Sequence, residues 1–224
     1  MLSRSLALAL SLGLSSLASA ADVYVVHGIP GDDIGQANML PVDLAVDTVC
    51  TAQNVMLGAV AGPLTVATGE RKFDLSLSDG SCTGVAAVSG RFDFAVGETA
   101  IVVAHLDQNG VPRLSKFTVD TGAIADGNAR VAVIHAANAP MVDIRIREDV
   151  KKKPAKAKLN DLANGEQTRA IDVPASTYDI RVKPSAGGAS VLDVNEFGVA
   201  NNNVIVAIGS LRNATFTVAV VSIM

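Results

Sequence analysis

The chain lacks tryptophan, has two cysteines and three histidines in 224 residues, and is only 4% aromatic and 18% charged. Two cysteines exclude a disulfide-dense mini-protein. Three histidines leave little stock for acid–base or metal chemistry. With two tyrosines, the chain also lacks the aromatic platforms of a carbohydrate-binding surface. Against these absences stands a hydrophobic content of 49%, which excludes a disordered chain. Val, Ala, Leu and Ile carry it, and Gly is frequent at 19, a profile of short strands and turns.

Residues 1–20 read as an address. Arg4 precedes an apolar stretch from Leu6 to Leu17, and Ala18-Ser19-Ala20 is a small-x-small cleavage site, so a secretory signal peptide cleaved before Ala21 is expected. A stretch of this length is short for a spanning helix, which needs about 20 residues. No later segment has the length and unbroken apolarity of a transmembrane helix, and no cysteine follows the cleavage site to carry a lipid. The mature protein is expected to be periplasmic or secreted.

The remaining sequence repeats once. Val23-Tyr24-Val25-Val26-His27 is echoed by Val131-Ala132-Val133-Ile134-His135. Pro41-Val42-Asp43-Leu44 matches Pro140-Met141-Val142-Asp143-Ile144, and Phe73-Asp74-Leu75-Ser76-Leu77 matches Tyr178-Asp179-Ile180-Arg181-Val182. Ala100–Ala104 corresponds to Asn203–Ala207. Motifs in the same order at similar spacing indicate two copies of one unit, 21–120 and 129–224, joined by a linker at 121–128. The apolar period within each copy is two: Val42, Leu44 and Val46 face one way, Asp43, Ala45 and Asp47 the other. That pattern reads as antiparallel strands packed on one side. About seven such strands per copy of roughly 100 residues predicts an all-β chain of two tandem immunoglobulin-like sandwiches. Asp107-Gln108-Asn109-Gly110 reads as a hairpin turn.

These residues also carry a family resemblance. Ile134-His135-Ala136-Ala137-Asn138-Ala139-Pro140-Met141-Val142-Asp143-Ile144 is similar to the opening of the DUF4397 domain, a strand ending in His followed by a Pro-containing loop and Val-Asp. His27 through Asp43 resembles it with a loop eight residues longer, and Val173-Pro174-Ala175-Ser176-Thr177-Tyr178 resembles the family's Leu-Pro-Ala-Gly-Thr-Tyr strand, with Ser176 in the usual Gly place. The resemblance implies an exported β-sandwich and supplies no catalytic residue.

Four groups of residues are candidates for chemistry. His27 and His135 end equivalent strands and precede Asp43 and Asp143. By alternation the His and Asp of each copy lie on opposite faces, so they are expected to hold loops and not to form a dyad. Met39 and Met141 suggest copper ligands beside the histidines, but one His and one Met per copy are too few, and Met is an ordinary core filler. Asp32, Asp33 and Asn38 lack the oxygen count of a calcium site. Cys50, at the end of the second strand, and Cys82 are expected to form a disulfide; closing such a loop contributes about 3–4 kcal/mol.

Charge is uneven. Residues 21–125 hold 5 basic and 12 acidic side chains; residues 126–224 hold 12 and 10. Arg145, Arg147, Lys151, Lys152, Lys153, Lys156 and Lys158 crowd the connection that in the first copy contains Cys50 to Asn54. They suggest an anionic envelope polymer or an acidic protein surface as partner, or a solubilising loop that discourages edge pairing. No aromatic residue interleaves them, and export argues against nucleic acid.

No Gly-x-Ser-x-Gly elbow, His-Glu-x-x-His, P-loop or dinucleotide fingerprint occurs, so neither an enzyme nor a cofactor is expected. The sequence supports a non-enzymatic exported protein with a binding or structural role at the cell envelope, contacting partners through loops at one end of each sandwich. The alternative is a small-ligand or metal-binding protein using the loops after His27 and His135.

Overall fold

Alternating and continuous apolar segments sort into four sheets in a computed structural model that describes residues 20–37, 39–148 and 157–223. All but Ala20 of the segment read as a signal peptide, together with Asn38, Lys151, Lys152, Lys153 and Lys156, lie outside the described residues. The first half forms β1 (Ala20–His27), β2 (Val42–Val46), β3 (Val49–Val55), β4 (Val60–Ala67), β5 (Gly69–Leu77), β6 (Ala86–Phe94), β7 (Thr99–Leu106) and β8 (Pro112–Thr118). They make two sheets in the orders β4-β1-β7-β8 and β3-β2-β5-β6.

The second half forms β9 (Asn128–His135), β10 (Val142–Glu148), β11 (Ala157–Leu162), β12 (Glu166–Gln167), β13 (Ile171–Pro174), β14 (Ser176–Pro184), β15 (Leu192–Val199), β16 (Asn202–Ile208) and β17 (Thr217–Ile223). The strand order recurs as β11-β10-β14-β15 and β12-β9-β16-β17, with β13 also pairing β9. Two short strands thus occupy the place that β4 fills in the first half. Among the described residues the architecture is all-β, as the two-residue period predicts.

One expectation changes. The strands were expected to be antiparallel and covered on one side, but β1 runs parallel to β7 and β9 parallel to β16. These four strands are buried on both faces. Val23 and Val25 enter the first sandwich's core, with Leu44, Phe73 and Leu75. Tyr24 and Val26, on the opposite face, pack with Ile101 and Val103 against Ala132, Ile134, Val204, Val206 and Ile208 of the second half. The two sandwiches are therefore stacked through their inner sheets, giving four layers. Burial on both faces explains the unbroken runs Ala100–Ala104 and Val204–Ile208, since a strand without a wet face needs no polar alternation. Each fully buried Val or Ile contributes roughly 1.5–3 kcal/mol relative to exposure. The outer sheets keep the one-sided pattern: Val142, Ile144 and Ile146 are buried beneath Asp143, Arg145 and Arg147.

The linker is held down by a side chain. Arg130, 7% exposed, donates to Asp172 at 2.7 and 3.0 Å, to Asp120 at 2.9 Å and to the Gly122 carbonyl at 3.0 Å. Asn202 adds a bond from Nδ2 to the Asp120 carbonyl at 2.7 Å. In the second sandwich the buried Tyr178 hydroxyl donates to the Pro174 carbonyl at 2.7 Å, a corner bond of the kind found in immunoglobulin-like sandwiches.

A shared loop end as the candidate functional site

Parallel pairing brings the ends of β1 and β7 out at one end of the first sandwich, where Val42 pairs with both Val55 and Leu77. The loops after β1, β3, β5 and β7 therefore gather there. Those after β9 and β16 join them across the junction between sandwiches. Gly209 N–H donates to the Gly28 carbonyl at 3.3 Å, and Asn138 Nδ2 donates to the Asp107 carbonyl at 2.8 Å. Asn164 Nδ2 bridges the carbonyls of Leu106 and Ala137 at 3.0 and 2.6 Å. The Asp33 carboxylate accepts from Thr215 Oγ1 at 3.0 Å and from Asn213 Nδ2. Loops of both halves are thereby fixed into one surface.

That surface is also where apolar side chains escape the core. Met39, Met56, Leu77, Val85, Val111 and Met141 are exposed and sit in these loops or at their borders. The two other large exposed hydrophobics among the described residues, Val49 at the start of β3 and Val96 in the turn after β6, lie at the opposite end. Met39 and Met141 are 57% and 48% exposed, so the core-filling role expected of them is incorrect. Each stands in a loop just ahead of its Val-Asp strand.

His27 and His135 are buried, and their Nε2 atoms donate to the carbonyls of Leu40 and Pro140 at 3.3 and 3.1 Å. Burial lowers the pKa of both rings against the opposing pull of those bonds. The aspartates do different work. Asp43, 0% exposed, accepts from Ser78 Oγ at 2.6 Å, Asn54 N–H at 2.9 Å and Gly80 N–H at 3.0 Å. Burial on its own would raise this carboxyl, but the bonds from Ser78, Asn54, Cys82 and Asp79 outweigh it and bring it down to about 2. Asp143 repeats the arrangement with Ser185 Oγ at 2.7 Å and Asp161 N–H at 3.1 Å, which hold it below the usual carboxylate range. Asn54 and Asp161 are both left-handed (φ 54° and 55°), a conformation that Asx residues tolerate, so each aspartate pins a kink in the neighbouring strand. The histidines and aspartates thus serve separate loops.

Cys50 and Cys82 form the expected disulfide, tying β3 to the loop that Asp43 organises. Cys50 lies in β3 and not at the end of the second strand, because Asp47 and Thr48 (φ 48° and 73°) already turn the chain in a two-residue hairpin.

The basic stretch is likewise not all connection. Arg145 and Arg147 lie in β10 and Lys158 in β11, and the Cys50–Asn54 segment compared with it is strand β3. Register sets Lys158, Arg145 and Arg181 side by side across β11, β10 and β14, with Lys183 opposite Asp143. Arg145 Nε is buried and without a hydrogen-bond partner. Arg181 and Lys183 were missed because they are distant in sequence and join the others only through strand pairing. Asn164 and Thr215 were missed as well, and Asp33 and Asn138 were not read as links between the sandwiches, because these bonds join loops far apart in sequence. Among the described residues no group of three or more His, Cys, Asp or Glu gathers as a metal site, and no helix is long and apolar enough to cross a membrane.

Fold and loop surface define a stacked tandem β-sandwich protein. A family model described as "Domain of unknown function (DUF4397)" matches residues 21–145, more than half of the chain. The chain belongs to the DUF4397 family. No curated protein matches it. Among solved structures it is similar to the Bacillus anthracis TIE protein (7% identity, TM-score 0.24), covering 85% of this chain and only 33% of that one. It is also similar to an alpha-glucan-binding streptococcal virulence factor (13% identity, TM-score 0.26; 88% of this chain and 96% of that one). A third is a putative adhesin from Bacteroides ovatus (8% identity, TM-score 0.27; 90% and 93%). At these scores nothing about function passes to this chain.

Proposed function

We propose that this protein is an exported, non-enzymatic binding protein of the cell envelope, and that the shared loop end makes its contacts. One observation carries the reading: the exposed Met39, Val111 and Met141 sit on loops that hydrogen bonds lock together across the two sandwiches, and the exposed Met56, Leu77 and Val85 lie at the same end. Exposed apolar clusters mark interaction sites, and loops fixed before contact lose less entropy on binding. The second sandwich is read as a second copy of the family unit, and residues 1–20 as its export signal. Retention on cell-envelope fractions tests the role. Replacing Met39, Val111 and Met141 together by Ser is expected to lower retention at least about tenfold, the loss of roughly 1.4 kcal/mol. Unchanged retention contradicts the reading.

A second surface has its own support. The row Lys158–Arg145–Arg181, in which Arg145 and Lys158 flank the lysines of 151–156 in sequence, favours an anionic envelope polymer or an acidic protein surface. Arg145→Glu with Arg181→Glu is expected to abolish any salt-sensitive part of the retention and leave the salt-insensitive part intact. A metal site on the loops after His27 and His135 gains no support, since each Nε2 is committed to a backbone carbonyl.

A further inference from the structure

Three loops of the shared end border an open cleft of about 490 Å³. Gln108 comes from the turn after β7, Asn138, Pro140 and Met141 from the loop after β9, and Leu211 and Arg212 from the loop after β16. Ligand sites of roughly 300–1,000 Å³ form preferentially where two packed units meet. Asn138 ties the three loops together. Its N–H donates to the Gly209 carbonyl at 2.8 Å, its carbonyl accepts the Leu211 N–H at 3.2 Å, and its Nδ2 donates to the Asp107 carbonyl at 2.8 Å. The cleft is thus shaped before a partner arrives, which lowers the entropy cost of contact. The halves differ here: residues 209–216 join β16 to β17, where 107–111 suffice between β7 and β8.

The longer loop presents one unpaired cation. Thr215 Oγ1 donates to Asp33 at 3.0 Å, Asn213 Nδ2 donates to the same carboxylate, and Ser210 Oγ accepts the Arg212 N–H at 3.0 Å. Among the described residues the exposed Arg212 guanidinium makes no hydrogen bond or ion pair, and the exposed Gln108 side-chain amide makes none either. Asp107 and Asp33, in the same loops, are already engaged and do not line the cleft. Asp107 pairs with Arg113 at 3.0 Å and accepts the Asn109 and Val111 N–H groups, while Asp33 holds Thr215 and Asn213. The occupant follows from what the lining lacks. Arg212 calls for an anion, and a guanidinium takes a carboxylate in a matched planar fork. One cation suits one such charge, whereas a polyanion needs several. Pro140, Met141 and Leu211 call for an apolar body, and the Gln108 amide for a donor and an acceptor. A polypeptide segment with an acidic side chain beside an apolar one supplies all three, and Met and Arg are enriched at protein interfaces.

We propose that this cleft binds a protein partner through an extended segment in which a carboxylate side chain stands beside an apolar one, the carboxylate on Arg212 and the apolar side chain against Met141 and Leu211. The inference rests on the loop end being the contact surface and names the chemistry of the partner. The full mature chain is titrated with the peptide acetyl-Gly-Leu-Asp-Leu-Gly-amide, whose only charge is the aspartate, and with the same peptide carrying Asn for Asp. Methionine methyl and arginine ¹⁵Nε resonances are followed. The expected result is a saturable shift of Met141 and Arg212, with Arg145 and Arg181 of the outer sheet unmoved. The Asn peptide, and Arg212→Gln titrated with the Asp peptide, are expected to show apparent affinities at least about tenfold weaker. Circular dichroism and melting temperature establish that the variant is folded. Absence of a saturable shift, equal affinity for the two peptides, equal shifts at Arg145 and Arg181, or undiminished binding by folded Arg212→Gln would each overturn the proposal. Envelope retention separates it from the reading beneath it. Retention lost in the Met39, Val111 and Met141 variant but kept in Arg212→Gln overturns the acidic segment and leaves the loop-end role standing. Retention kept in both, with the Asp peptide still bound selectively at Arg212, overturns the envelope role and supports the cleft as a site for such a segment.

Discussion

Ile208 of the second sandwich stands against Gly28 of the first so closely that a Cβ at position 28 would lie 2.7 Å from Ile208 Cγ2. The Ala104 carbonyl oxygen would be 2.9 Å away. Glycine is needed here for close approach, since the residue carries the junction between the sandwiches immediately after His27. Gly28→Ala is expected to overpack this contact and cost about 1–3 kcal/mol. Urea unfolding measures the loss. Amide exchange should place the loosening on β1 and β16, the strands that meet there, and leave the outer sheets protected.

Arg130 performs for the linker what Gly28 permits at the junction. Its guanidinium joins Asp172, Asp120 and two linker carbonyls, a set of planar bonds that an ammonium cannot reproduce. Arg130→Lys is expected to free residues 121–127, and limited proteolysis should cut there faster than in the parent protein. Equal cutting rates would mean that the inner-sheet contact alone holds the halves together.

Acid should loosen the protein in two stages. Burial lowers the pKa of His27, His105 and His135 below the value of 6.5 that an unfolded chain has, so the unfolded state takes up protons first as pH falls. Stability from keeping these rings neutral is full above that value and declines as pH drops through it toward the folded pKa values. The second stage belongs to the hydrogen-bonded carboxylates, Asp143 among them and foremost Asp43, whose pKa of about 2 lies below its ordinary 3.8. Its contribution is complete above pH 3.8 and is lost as pH falls through about 2. Urea midpoints should therefore fall between pH 7.5 and 5.5, and Asp43→Asn should shrink the deeper acid transition, which Asp143 shares, while leaving the first.

The Cys50–Cys82 bridge and Asp43 secure the same loop by independent means. Replacing both cysteines by Ala is expected to cost roughly 3–4 kcal/mol through the freedom regained by the unfolded chain. Asp43→Ala is expected to cost about 1 kcal/mol or more by taking the acceptor from the N–H groups of Asn54 and Gly80 and from Ser78 Oγ. Because they share the loop, the triple variant should lose a different amount from the sum, measurable as a coupling in a double-mutant cycle.

Much of this fold was legible because strand periodicity is local. Val42-Asp43-Leu44 and Tyr178-Asp179-Ile180 declare an inward and an outward face without reference to anything else. The disulfide was equally accessible, from two cysteines and no competitor. The stacking of the sandwiches was not, although its trace is present: Ala100–Ala104 and Val204–Ile208 lack the polar alternation that a wet face would impose. The exposed Met39 and Met141 were misread for a related reason, since a loop methionine and a core methionine look alike until the loop is placed. Arg181, Lys183 and Thr215 stayed hidden, as did the contact that Asp33 makes, because pairing across strands and sandwiches, not sequence distance, makes them neighbours of the candidate sites.

The central claim is that contact with the envelope is made by the joined loop end. Hydroxyl-radical footprinting of the mature protein, free and bound to envelope fractions, tests it directly. The account predicts protection of Met39, Leu77, Val111 and Met141 on binding, with Val49 and Val96 at the opposite end unchanged. Protection confined to the opposite end, or to the outer sheet face around Arg145 and Arg181 with Met39 and Met141 still fully reactive, would contradict it.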